Sequence, residues 1–95
     1  MSRKPTYRFR LYVAGDAPNS CQAVVNLSSL CKTHFGDRCA VEIVDVFDEP
    51  DRALADGILM TPTLIKLGPP PAPARIVGTL SHLDPVLRAL GVHVH

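Results

Sequence analysis

The sequence of 95 residues predicts a single α/β domain, residues 1–95, with elements in the order β-α-β-α-β-β-α. Three observations predict it. An alternating apolar run, an amphipathic helix and a second β-branched run follow one another near the start, which is the pattern of a βαβ unit. The stretch Ile58-Leu59-Met60-Thr61-Pro62-Thr63-Leu64-Ile65 sets one proline between a helix end and a run of strand composition. Ser81-His82-Leu83-Asp84 then has the form of a capping box before a last helix, with Asp where Glu is usual.

The first strand is Tyr7 to Ala14, with Tyr7, Phe9, Leu11 and Val13 on one face. A turn at Gly15, Asp16, Pro18 and Asn19 leads to a helix that Asn19 or Ser20 can cap. Val24, Leu27, Cys31 and Phe35 give that helix an apolar stripe, with Ala23 and Leu30 beside it, and Gly36 stops it. Ala40 to Phe47 reads as the second strand, parallel to the first through a right-handed crossover. Asp48-Glu49-Pro50 opens a short helix that ends at Gly57. Pro62, with no N–H, suits the entry to a strand, and the frequency of cis X-Pro bonds favours trans for Thr61-Pro62. Thr63 to Leu67 and Arg75 to Gly78 follow as strands, joined by the stiff segment Gly68-Pro69-Pro70-Pro71-Ala72-Pro73. In the last helix Val86, Leu87 and Leu90 face inward, and Gly91 ends it.

Hydrophobic residues make up 46% and charged residues 20%, the proportions of a soluble globular domain. The net charge of +1 argues against a dedicated nucleic-acid binder, and Arg3, Lys4, Arg8 and Arg10 read as a solvated strand face. No apolar run approaches the roughly 18 to 20 residues of a membrane span and no signal peptide is recognised, so a cytoplasmic location is expected.

Signals for catalysis are few. Cys21, Cys31 and Cys39 are ten and eight residues apart and form no CxxC pair. Where a glutaredoxin-like enzyme carries Cys-Pro-x-Cys, this chain has Ala17-Pro18-Asn19-Ser20. Cys21, one position on, falls where a helix dipole lowers a thiol pKa, although burial as a small hydrophobe is the expectation for such a cysteine. His34, His82, His93 and His95 are scattered, and His93-Val94-His95 reads as a frayed end rather than a metal site. Asp45, Asp48, Glu49, Asp51 and Asp56 are largely accounted for as helix-start residues. No cofactor is expected.

The element order is the thioredoxin-like one, with the first strand central and the second at a sheet edge. Leu11-Tyr12-Val13-Ala14-Gly15, Pro18-Asn19-Ser20, Val44-Asp45-Val46, Ile58-Leu59, Thr61-Pro62-Thr63-Leu64, Pro69-Pro70-Pro71 and Gly78-x-Leu80-Ser81 together resemble the KaiB family of bacterial clock proteins, over roughly Tyr7 to Gly91. The resemblance implies a non-enzymatic regulator of a KaiC-like ATPase in a timing or stress-response pathway. It also implies related sensor domains of histidine kinases that compete for the same surface, and it permits a monomer, dimer or tetramer. The docking residues expected are Ala40 and Glu42 on the edge strand, with Asp48, Glu49, Pro50 and Arg52 beside them. The sequence departs from the family at Glu42, where Lys is usual, and at Thr79, where Asp is usual. The proline loop is longer at Ala72-Pro73, and no acidic tail follows the last helix. The competing class is a single-cysteine thiol oxidoreductase using Cys21.

The resemblance further implies an alternative β-α-β-β-α-α-β fold, in which the C-terminal segment becomes a strand and a helix runs through Pro85. Proline in a helix interior costs about 3 kcal/mol, and Ala89, where the family tends to have Gly, adds roughly 1 kcal/mol against refolding. Gly91 ends the last thioredoxin-like helix, whereas Val92 and Val94 suit a strand and pull the other way. The expectation is that the thioredoxin-like form dominates, with Pro62, Pro85, Ala89 and Gly91 as the residues that determine it.

Overall fold

The computed structural model describes residues 6–91. Arg3, Lys4, Val92, His93, Val94 and His95, on which some of the expectations rest, lie outside the described residues. The elements are β1 (Tyr7–Val13), α1 (Pro18–His34), β2 (Cys39–Asp45), α2 (Pro50–Ala55), β3 (Thr63–Gly68), β4 (Ala74–Val77) and α3 (Leu83–Ala89). The sheet order is β2-β1-β3-β4. β1 runs parallel to β2 and antiparallel to β3, and β4 is antiparallel to β3. The parallel pairing of β1 and β2 is as expected from the crossover, and the central place of β1 and the edge place of β2 are as expected from the thioredoxin-like order.

Period-two alternation divides the core between the two faces of the sheet. Phe9, Leu11 and Val13 of β1 and Leu64 of β3 pack against Ala23, Leu27, Leu30 and Cys31 of α1 and Val86 and Leu87 of α3. On the other face Tyr12, Val44 and Ile65 meet Ala53 of α2. Lys66 is buried on the α1 side, where Nζ donates to the Leu90 carbonyl at 2.6 Å and lies 5.4 Å from the centre of the Tyr7 ring. Burial holds its pKa below the usual lysine range. The ammonium thereby satisfies a carbonyl at the end of α3 that has no partner within the helix.

Local caps differ from the expected ones. Ala17 occupies the cap position of α1 and makes no side-chain cap bond, because the helix already begins at Pro18. Ser20 is instead buried, and its Oγ accepts from the Ala14 N–H at 3.0 Å, tying the end of β1 to α1. This start sets the helix phase, with Ser20, Ala23, Leu27, Leu30 and Cys31 inside, so Cys21 falls one residue off the buried stripe and is exposed rather than buried. Glu49 precedes α2 without a side-chain cap bond. The capping box at Ser81 does not form either: α3 starts after His82, while Ser81 Oγ lies 2.7 Å from Thr79 Oγ1 and accepts from Asn26 Nδ2 at 3.3 Å.

The Thr61–Pro62 peptide is cis, against the trans expectation. Overall frequencies carry no information on the tertiary surroundings that select one isomer in an ordered loop. Gly68–Pro69, Pro70–Pro71 and Ala72–Pro73 are cis as well. At the C-terminal end Pro85 is the third residue of α3, where a backbone N–H has no intrahelical partner, and Gly91 adopts φ 78° after the Leu90 cap. Val86 to Ala89 are thus helical here, as in the thioredoxin-like arrangement.

Candidate functional site

β2 is hydrogen-bonded to β1 along one side only, and its other side is the sheet edge. The parallel register sets Arg10 beside Glu42 and Tyr12 beside Val44, on the face covered by α2. Glu42 is clamped between two arginines: Arg10 Nε donates to Oε1 at 2.9 Å, and Arg52 Nη2 of α2 lies 2.8 Å from Oε2. Arg10 Nη1 reaches on to Asp56 Oδ2 at 3.0 Å. The Tyr12 hydroxyl donates to the same carboxylate at 2.5 Å and lies 3.1 Å from the Arg52 carbonyl. Arg52 Nη1 is 3.4 Å from Glu49 Oε1. Arg75 of β4 donates to the Asp56 and Gly57 carbonyls from the far side.

This network fixes the charge state of its members. Hydrogen bonds from Arg10 first, and then Arg52, hold the Glu42 carboxyl below the usual range. The Tyr12 hydroxyl and then Arg10 do the same for Asp56. Burial, followed by its bond to Asp56, raises the Tyr12 phenol. Arg10 and Arg52 are each raised, chiefly by Glu42. All five groups therefore keep their neutral-pH charges over a wide range, which makes the face a fixed pattern of charge.

Of the expected docking residues, Glu42, Glu49 and Arg52 are brought together by ion pairs. Ala40 is exposed on the same strand, two residues before Glu42. Asp48 and Pro50 are exposed beside the network without joining it. Arg10, taken from sequence as part of a solvated face, is half-buried and paired at both ends. Tyr12 and Asp56 were also missed as members of the network. The parallel register brings Arg10 beside Glu42, whereas Tyr12 and Asp56 join through the packing of the end of α2 on β1.

Next to the charges lies an apolar patch. Leu59 is 95% exposed, Phe47 73% and Met60 64%, around a hollow of about 260 Å³ that Ala14, Val46 and Ile58 help to line. Asp45 shapes this corner, because its Oδ1 accepts from the N–H groups of Gly15 at 3.2 Å and Phe47 at 2.9 Å. Gly15 has φ 54°, and a Cβ there would touch the Phe47 ring at 3.5 Å. Nothing in the sequence pattern marked Phe47, Leu59 and Met60 as exposed, since they read as a strand end and the approach to Pro62. Large exposed apolar patches rimmed by charge mark interaction sites. Among the described residues no group of three metal-ligating side chains is assembled. The Cys21 thiol lies apart from the network, 3.5 Å from the Asp16 carbonyl.

Residues 10–92 match the KaiB domain family. The chain is 43% identical over 83 residues to the circadian clock protein KaiB3 of Synechocystis sp., a match that covers 87% of this chain and 80% of that protein. It is 44% identical over 90 residues to the circadian clock oscillator protein KaiB of Synechococcus sp. strain RCC307, covering 95% and 81%. Among solved structures it is similar to the N-terminal domain of Synechococcus elongatus SasA, with a TM-score of 0.73 at 18% identity over 96% of this chain and 89% of that one. The Drosophila thioredoxin Deadhead gives 0.73 at 16% identity over 94% and 84%. At such identities these two structures speak for the fold alone, a mixed α/β thioredoxin-like one.

Proposed function

The chain belongs to the KaiB family, and on that premise we propose that it is a non-enzymatic regulator that docks on a KaiC-like ATPase in a timing or stress-response pathway. The observation that carries the reading is the exposed edge of β2, where Ala40 and the Glu42 clamp stand beside α2. Unpaired strand edges are templates for a partner's backbone, and the neighbouring Phe47, Leu59 and Met60 supply apolar area for the contact. Asp48, Glu49 and Pro50 form the rim. The resemblance sets Lys where Glu42 stands, so the reversed charge changes which partner is tolerated. A histidine kinase with a related sensor domain competes for the same face. The proposed location is cytoplasmic, which agrees with the absence, among the described residues, of any helix long and apolar enough to cross a membrane.

A pull-down with a KaiC-like ATPase in each nucleotide state tests this. Binding by the wild-type chain in one of the states, lost on Ala40→Asp, is expected. No binding in either state, or undiminished binding by the variant, contradicts it. The exposure of Cys21 keeps a second reading in play, a one-cysteine thiol oxidoreductase. It requires glutathione- or insulin-reductase activity that is lost on Cys21→Ser. The proposed regulator has no such activity.

A further inference from the structure

Away from the α2 face, a groove of about 360 Å³ opens between α1 and the edge strand, and two of its wall residues are Cys31 and Cys39. Cys31 lies in the last turn of α1 and Cys39 is the first residue of β2. The two are joined as a disulfide, with Cα atoms 6.1 Å apart, a separation at which the bridge closes without backbone movement. We propose that Cys31 and Cys39 form a thiol–disulfide exchange site for low-molecular-weight thiols, and that its state sets how firmly the first residues of β2 are held.

The groove gives a small thiol room to reach the sulfurs, and Lys32 on its wall favours an arriving thiolate. Cys39 is half-buried and Cys31 is 8% exposed, so Cys39 Sγ is the more accessible target. A thiolate attacks Cys39 Sγ, forms a mixed disulfide, and expels Cys31 as a thiolate that takes a proton from solvent. A second thiol attacks the mixed disulfide, releases the oxidised small-molecule disulfide and leaves Cys39 as a thiol. Two electrons pass from two small thiols to the protein pair, and glutathione disulfide reverses the sequence. Accessible disulfides of this kind are the labile ones, and in a glutathione-buffered compartment they serve as sensors.

The strand end is where the change is felt. β2 has a ladder partner on one side only, and its first pair is Tyr7 with Cys39. The Tyr7 N–H donates to the Arg38 carbonyl at 2.8 Å, and the Tyr7 ring stacks on Phe35 at 4.0 Å between centroids. With the bond cut, Cys39 and Ala40 keep their ladder pairing with Tyr7 and Arg8 on one side, and the tie from β2 back to the end of α1 is lost. The inference goes beyond the docking reading and stands without it.

The test uses the full chain in buffered mixtures of reduced and oxidised glutathione, with thiol titration, peptide mapping and amide exchange. In oxidised glutathione, a Cys31–Cys39 linked peptide is expected, with the exposed Cys21 as a free thiol or a glutathione adduct. Excess reduced glutathione should expose all three thiols. Exchange at the Tyr7 and Val41 amides should then quicken by about tenfold or more, while Leu64 is unchanged. The double variant Cys31→Ser, Cys39→Ser should match the reduced protein in both buffers, and the wild-type titration decides the matter should that variant not fold. Three titratable thiols in oxidised glutathione, a bond that survives excess reduced glutathione, or equal exchange in both states overturns the proposal.

Discussion

On one face of the sheet α1 and α3 press Phe9, Leu11, Val13 and Leu64 into a continuous apolar layer, whereas on the other the six-residue α2 covers Tyr12, Val44 and Ile65 through Ala53. Around that smaller cluster the second face relies on Glu42, Arg10, Arg52 and Asp56. Buried leucines contribute several kcal/mol each, while partly exposed ion pairs contribute at most about one. The first face therefore carries the stability. The second holds a pattern of charge and exposed apolar side chains that it can present to another molecule.

The largest expected effect lies on the first face. Leu64→Ala, at a fully buried position of β3, should lower unfolding stability by about 2 to 5 kcal/mol in a urea titration. A loss below about 1 kcal/mol would erase the contrast between the faces. Next comes the end of the same layer, where α3 packs through Val86 and Leu87. Pro85→Lys with Ala89→Gly removes terms of about 3 and 1 kcal/mol that disfavour the alternative fold implied by family resemblance. NMR shifts should then show a growing strand population in the C-terminal segment. Unchanged shifts would mean that Pro85 and Ala89 do not set the balance.

The smallest effect is expected on the second face. Glu42→Gln should change stability far less than Leu64→Ala does, because its ion pairs are open to solvent. A loss like that of Leu64→Ala would place structural weight on the clamp. Acid sharpens the same point. Glu42 and Asp56 titrate lower in the fold than in the unfolded chain, so their contribution is present above the ordinary carboxylate range and fades as pH falls through the folded values. Stability should decline on acidification below about pH 4, and less steeply in Glu42→Gln.

What could be read from sequence divides along the same line. The α1 face follows from periodicity, since Phe9, Leu11 and Val13 alternate and Leu27, Leu30 and Cys31 recur at helical spacing. The parallel pairing of β2 with β1 follows from the crossover, and its edge position from the thioredoxin-like element order. The network on the other face was only half visible: Glu42, Glu49 and Arg52 were expected there, yet Arg10 joins through the strand register and Tyr12 and Asp56 through the packing of α2 on β1, which no local pattern encodes. The Cys31–Cys39 pairing was hidden for the same reason, since it depends on how the end of α1 meets the start of β2. Cys21 and Ser81 were misplaced because a shift of one or two residues in a helix start changes which side chain faces inward and which one caps.

The division of labour between the faces is tested most directly by mapping amide shifts on the labelled chain as an unlabelled KaiC-like ATPase is added. The account predicts changes confined to β2 around Ala40 and Glu42, to the stretch from Phe47 to Asp56, and to Leu59 and Met60. Changes confined to β4 and α3, with β2 and α2 unmoved, would contradict it.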